Sequence, residues 1–136
     1  MKATASYKVN TWEEQPYEEI SPGMKLTRAS VEYGFTGDLE GKGKVEYLMF
    51  YSRFDAANPH NATASYLGLI RFTGALAGKT GSFVLTDNGA FQAGTARSRL
   101  LIADDSGTGD LRGISGTGMY VADKDGFRLE LDYRLS

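Results

Sequence analysis

The stretch Tyr66-Leu67-Gly68-Leu69-Ile70-Arg71-Phe72-Thr73-Gly74-Ala75-Leu76, then Ala77-Gly78-Lys79-Thr80-Gly81, then Ser82-Phe83-Val84-Leu85, decides the fold class of this chain. Two apolar runs flank a short turn that contains glycine, which reads as a β-hairpin. Both runs place apolar residues at adjacent positions, so both faces of the ribbon ask for burial. Arg71 sits in the middle of it.

Outward from this hairpin the chain repeats the strand pattern. Downstream, Ala90–Gln92 is a candidate continuation of the second hairpin strand past Asp87-Asn88-Gly89. Thr95–Ile102 alternates, with Ala96, Ser98, Leu100 and Ile102 inward. Asp104–Gly118 is a glycine-punctuated connection anchored by Leu111 and Ile114. Gly116–Ala122 is a short strand, Asp123–Gly126 a hairpin turn, and Phe127–Leu135 a strand of clean alternation. Upstream, Lys44–Phe54 carries Val45, Tyr47, Met49 and Tyr51 on one face but Leu48 and Phe50 on the other. Leu26–Thr36 turns Ala29, Val31, Tyr33 and Phe35 inward, and Gly37–Gly41 reads as a turn. Lys2–Thr11 points Ala3, Ala5, Tyr7 and Val9 one way. Glu13–Gly23, acidic and interrupted by Pro16, reads as a loop, with Trp12 and Tyr17 as a lid over the end of the core.

The result is an all-β chain with little or no helix and eight candidate strands, joined mostly by short connections. That series points to an antiparallel sandwich or an up-and-down barrel, and the barrel is the fold expected here, as one domain over residues 1–136. Eight strands can close around side chains or around one small ligand. The strands at Lys44–Leu85 are apolar on both faces and no helix is available to cover the outer one. A homo-oligomer formed through Lys44–Leu85 is therefore expected.

Composition narrows the partners. Hydrophobic residues make up 41% and aromatics 12% of 136 residues, which is globular. A chain of this length buries roughly two-thirds of its unfolded surface. The net charge is −2 with a pI near 5.4, which disfavours nucleic acid and anionic membrane as partners. With no cysteine, disulfides, thiolate catalysis and thiolate-bound metals are out of reach. Residues 1–10 lack the apolar core of a signal peptide and no run is long enough to span a bilayer, so cytoplasmic residence is the expectation.

The segments Trp12-Glu13-Glu14-Gln15-Pro16-Tyr17, Lys25-Leu26-Thr27-Arg28-Ala29-Ser30, Phe35-Thr36-Gly37-Asp38-Leu39-Glu40-Gly41, Val45-Glu46-Tyr47-Leu48-Met49, Arg71-Phe72-Thr73-Gly74, Gly81-Ser82-Phe83-Val84-Leu85, Gly94-Thr95-Ala96 and Gly107-Thr108-Gly109-Asp110-Leu111 together resemble the DUF3224 family. The resemblance covers nearly the whole chain, in the family's order. It implies a calycin-like closed barrel similar to allene oxide cyclase, an architecture shared by dirigent proteins. The family name assigns no function, and no motif here maps onto the cyclase site residues. The resemblance thus implies only an apolar lumen open to a small organic molecule.

Motifs that carry chemistry are scarce in this chain. The one histidine, His60, lies in a polar loop, so no metal site is expected and a serine–histidine pair would depend on that residue alone. No Gly-x-Ser-x-Gly elbow is present, and the glycines of Gly107–Gly118 lack the lysine and helix of a phosphate loop. No cofactor is implied. The sharper candidates are Glu46 and Arg71, charges within two-faced strands that need partners if buried. Strand pairing around Asp55–Asn61 brings them nearly opposite each other, as a cross-strand ion pair or as a polar anchor at the lumen floor that binds a carboxylate through Arg71 or serves as an acid–base pair. Tyr33 and Tyr47 are the lumen hydroxyl candidates, with Tyr51 beside them. Three functions remain: a barrel holding a small hydrophobic ligand, a lumenal isomerase or cyclase, or a structural module with a filled barrel.

Overall fold

Alternation with period two buries every second residue of long strands, and closure of those strands into a ring makes that buried face an interior. A computed structural model describes residues 1–136 and contains nine strands. They are β1 (Lys2–Ser21), β2 (Met24–Gly37), β3 (Leu39–Arg53), β4 (Thr63–Leu76), β5 (Lys79–Gln92), β6 (Thr95–Ile102), β7 (Thr108–Gly109), β8 (Ser115–Asp123) and β9 (Gly126–Arg134). All pairings are antiparallel. The order β4-β3-β2-β1-β9-β8-β6-β5 closes because β4 also pairs β5. The fold is an eight-stranded up-and-down barrel, with the two-residue β7 added at the edge of β5. The one helical element is a single 3-10 turn at Pro59–Asn61, and no helix is long and apolar enough to cross a membrane.

The hairpin at the centre of the sequence forms as expected. β4 and β5 run in continuous register from Leu76↔Lys79 to Ala64↔Phe91. Ala77 and Gly78 both take positive φ, +49° and +83°, as the tight two-residue hairpin turn requires. Asp87-Asn88-Gly89 does not interrupt β5, because both neighbouring strands hold that segment in register.

Two other turns shrink. Glu13–Gly23 is strand rather than loop as far as Ser21, paired with β2 to Ser21↔Met24. Nothing in its side chains shows this, since beyond the core the alternation has no interior to face. Pro16 is tolerated there because β9 pairs only Lys2–Ser6, which leaves the second edge of β1 open, and a register shift follows at Pro16/Glu18. Between β2 and β3 the expected turn at Gly37–Gly41 is reduced to Asp38, whose carboxylate accepts the Thr4 N–H at 2.9 Å.

The base of the barrel is solid. Leu39, Phe72, Leu76, Phe83, Leu85 and Ile102 are buried there, and the Asp104–Ser115 connection seals it with Leu111 and Ile114. A row of glycines crosses the sheet near this end, Gly41↔Gly74↔Gly81↔Gly109 on β3, β4, β5 and β7. A Cβ at Gly41, Gly74 or Gly81 would fall on a carbonyl oxygen of the facing strand. The strands can approach and bend at this row only because it has no side chains.

Candidate functional site

Above the solid base the interior is hollow. A cavity of about 290 Å³ opens at the other end of the barrel. Met49, Ala64, Ala96 and Ala122 form its walls, and Trp12, Phe54, Phe91 and Phe127 its rim. The floor is a group of tyrosines, Tyr7, Tyr33, Tyr47, Tyr66 and Tyr120, one from each of β1, β2, β3, β4 and β8. Small residues make room for these rings. A Cβ on Gly68 would come 2.5 Å from the Tyr47 ring, and one on Gly89 would come 2.7 Å from the ring of Tyr66. The rings pack edge to face: Tyr7 on Tyr33 at 5.0 Å between centroids and Tyr47 on Tyr66 at 5.3 Å.

The phenol hydroxyls converge on one carboxylate. Tyr47 donates to Asp87 Oδ2 at 2.9 Å, and the Tyr33 and Tyr47 hydroxyls meet at 2.9 Å. Tyr120 donates to the Tyr66 hydroxyl at 2.9 Å and approaches Tyr47 to 3.3 Å. Tyr66 meets Ser98 Oγ at 2.8 Å. Asp87 is 1% exposed, and its Oδ1 has no hydrogen-bond partner. Burial pushes its carboxyl up to about 6, against the lowering effect of the Ser98, Tyr47 and Tyr120 hydroxyls. Burial likewise raises Tyr7, Tyr33, Tyr47, Tyr66 and Tyr120, so these phenols stay neutral.

A second polar knot lies at the rim. Glu14 accepts from Trp12 Nε1 at 3.0 Å, Thr27 Oγ1 at 2.6 Å and the Tyr51 hydroxyl at 2.7 Å. It fixes Trp12 at the mouth, with its ring 6.1 Å from that of Tyr47. Trp12 thus lies over the end of the core, while Tyr17 is well exposed on the outer surface. Lys25 caps the Phe54 ring at 3.5 Å on the same rim.

The sequence candidates divide cleanly. Tyr33 and Tyr47 line the lumen and touch each other. Glu46 and Arg71 are exposed on the outer face, and the expected pair between them does not form. The observed register sets Glu46 against Leu69 and Arg71 against Lys44, a two-residue slip from the expected pairing. Glu46 instead accepts from Ser30 Oγ at 2.6 Å and lies 3.6 Å from Arg28. Arg71 therefore provides no lumen anchor. Asp87, Ser98, Tyr66 and Tyr120 complete the floor without having been singled out as site residues. The informative pattern for Asp87 was its phase: Phe83, Leu85, Asp87, Gly89 and Phe91 share one face of β5. His60 is exposed in the 3-10 turn, and no cluster of three or more histidine, aspartate or glutamate side chains suited to a metal exists.

A family described as "Protein of unknown function (DUF3224)" matches residues 3–134. The chain belongs to the DUF3224 family. A crystal structure of a DUF3224-family protein of unknown function from Shewanella oneidensis MR-1 is similar over 100% of this chain and 98% of that one, with a TM-score of 0.69 and 24% identity. At that identity the likeness speaks for the barrel alone. No curated protein matches the chain. This DUF3224 barrel thus has a family and a fold from its relatives, and its chemistry has to be argued from the lumen.

Proposed function

We propose that this DUF3224 barrel binds a small, largely apolar molecule in its lumen, with one polar group of the ligand directed at the tyrosine floor. The observation that supports this most is the hollow upper half. A cavity of about 290 Å³ walled by apolar side chains lies over convergent hydroxyls and a buried carboxylate. Ligand sites combine an apolar wall with a few placed polar groups in this way, and the volume lies near the small end of their usual range of about 300–1,000 Å³. A filled-barrel structural module would have no use for such a void, since packed interiors leave few gaps larger than water.

The test is native mass spectrometry of the purified protein together with Ala96→Trp, which places an indole in the cavity. The wild type is expected to carry or take up one small apolar molecule per chain, and the variant none. Equal uptake by the two proteins, with the variant folded, would rule the lumen out as the site.

Self-association is proposed for the outer face of β3–β6. Leu48 and Leu67 are cross-strand partners, 55% and 60% exposed, and Leu69 and Leu101 extend the patch at 57% and 53%. The double substitution Leu67→Glu with Leu69→Lys is expected to leave a folded monomer where the wild type sediments as an oligomer. A monomeric wild type at about 100 μM, a concentration at which interfaces of even modest affinity assemble, would refute this.

A further inference from the structure

The lumen floor holds a carboxylate with no counter-ion. Asp87 is buried, no lysine, arginine or histidine lines the cavity (Lys25 lies outside it, over the Phe54 ring at the rim), and the three ion pairs of the structure lie elsewhere, on exposed or half-exposed side chains. The side chains gathered around it are Tyr7 from β1, Tyr33 from β2, Tyr47 from β3, Tyr66 from β4, Ser98 from β6 and Tyr120 from β8, all neutral. A buried anion left this way is costly unless something positive or strongly donating completes it.

Each hydroxyl has one hydrogen to give. Tyr47 gives its hydrogen to Asp87, so Tyr33 must be the donor in the 2.9 Å Tyr33–Tyr47 contact. Tyr120 gives its hydrogen to Tyr66. The hydrogens of Tyr33, Tyr47 and Tyr120 are therefore all engaged within the network. What remains for a guest is mostly acceptor capacity, the lone pairs of the Tyr33 and Tyr120 oxygens, with the unpaired Tyr7 hydroxyl as the one free donor; one layer below, out of direct reach, the unpartnered Asp87 Oδ1 adds its charge. The surrounding ring faces add negative quadrupole potential. The buried carboxylate, the lone pairs and any ring face turned to a guest share one sign, against a single neutral donor at Tyr7.

We propose that the lumen selects an organic cation, an ammonium group on a small apolar body, with the ammonium seated on the tyrosine floor above Asp87. The proposal rests on the lumen-binding reading and specifies its ligand class. It also reverses the expectation of a carboxylate guest, since Arg71 points away from the lumen and the floor repels anions. Ammonium recognition by a group of aromatic faces is an established use of this geometry, and a charged hydrogen bond is about twice as strong as a neutral one.

Three probes that share one apolar body separate the outcomes: phenylbutylamine, phenylbutanol and phenylbutyrate, titrated calorimetrically at about pH 7.5, where the amine is charged. The amine is expected to bind at least about 10-fold tighter than the alcohol and about 100-fold tighter than the carboxylate, in line with a charged donor on an anionic floor. In Asp87→Asn the ratio of amine to alcohol affinity is expected to fall to about one, because the Coulomb attraction is gone. If the alcohol or the carboxylate binds the wild type as well as the amine does, the cation proposal fails while lumen binding stands. An amine preference that persists in Asp87→Asn also overturns it. If none of the three binds and native mass spectrometry finds no guest, both readings fail together.

Discussion

Asp87→Asn is expected to make the protein more stable than the wild type at about pH 7.5, with an advantage that shrinks on acidification. The cause is the burial that pushes Asp87 up to about 6 from 3.8. A carboxyl whose folded value is raised binds protons more tightly when folded than when unfolded. Its stabilising contribution is therefore fully present below about 3.8 and is lost as pH rises through about 6. The interval corresponds to about 3 kcal/mol, at about 1.4 kcal/mol per tenfold change. The stability difference between Asp87→Asn and wild type should thus narrow by about that amount between pH 7.5 and about pH 4. Urea midpoints of the two proteins across this window provide the measurement. Titrations common to both chains cancel, including that of Asp123, held low by the Arg128 side chain. A difference that stays flat with pH would mean that Asp87 titrates normally and carries no burial penalty. If the gap closes as described, this DUF3224 chain keeps at its floor a charge that its own stability disfavours, the pattern expected where function outweighs stability.

Gly74→Ala is expected to cost more than about 4 kcal/mol, beyond most single substitutions. Gly74 has φ +155°, and a Cβ there would fall on the Glu40 carbonyl oxygen and lie 2.8 Å from the Gly41 Cα. The atoms in the way are backbone, so no rotamer change relieves the clash. Gly41 faces Gly74 with φ +150° and meets the Thr73 carbonyl in the same manner. Any relief must pull β3 and β4 apart at the sealed end of the barrel. Gly78→Asn is the control. Gly78 has φ +83° in open space, where asparagine fits at a cost of less than about 1 kcal/mol. Denaturation midpoints, or soluble yield where Gly74→Ala fails to fold, decide the matter. A Gly74→Ala protein as stable as the Gly78→Asn control would show that the glycine row is not needed for the bend.

The barrel was legible because most strands state their inner face plainly. Ala29, Val31, Tyr33 and Phe35 on β2, and Leu129, Leu131 and Tyr133 on β9, alternate with polar residues and are buried as read. The site was less legible for two physical reasons. On β3 and β4 both faces are apolar, so alternation alone does not tell which face looks inward. Leu48, Leu67 and Leu69 proved to be outside, and Glu46 and Arg71 went with them. A two-residue slip around the Asp55–Asn61 connection then separated those two charges without changing either face. Asp87 was hidden differently. Asp-Asn-Gly is strong turn chemistry, and only pairing with β4 and β6 holds it straight. A buried polar cluster contributed by six strands has no local signature, because its members meet only when the ring closes.

The ring is closed by its shortest main seam. β1 pairs β9 only from Lys2↔Asp132 to Ser6↔Arg128, whereas β1 and β2 stay paired to Ser21↔Met24. The flanking bonds join Met1 and Tyr133, 132 positions apart. Every other adjacent pair in the ring joins chain neighbours through hairpins or modest connections, so its loop-closure entropy is small. The seam bears the cost of the whole contour, and such long-range contacts form late and slow the search for the native state. The hairpins can therefore assemble as an open, curved ribbon before β1 meets β9. The reverse step, release of five residue pairs at the seam, is the cheapest sub-global opening available, and the amide hydrogens of Ala3 and Ala5, on the β9 side of β1, should exchange through it ahead of those on β3 and β4.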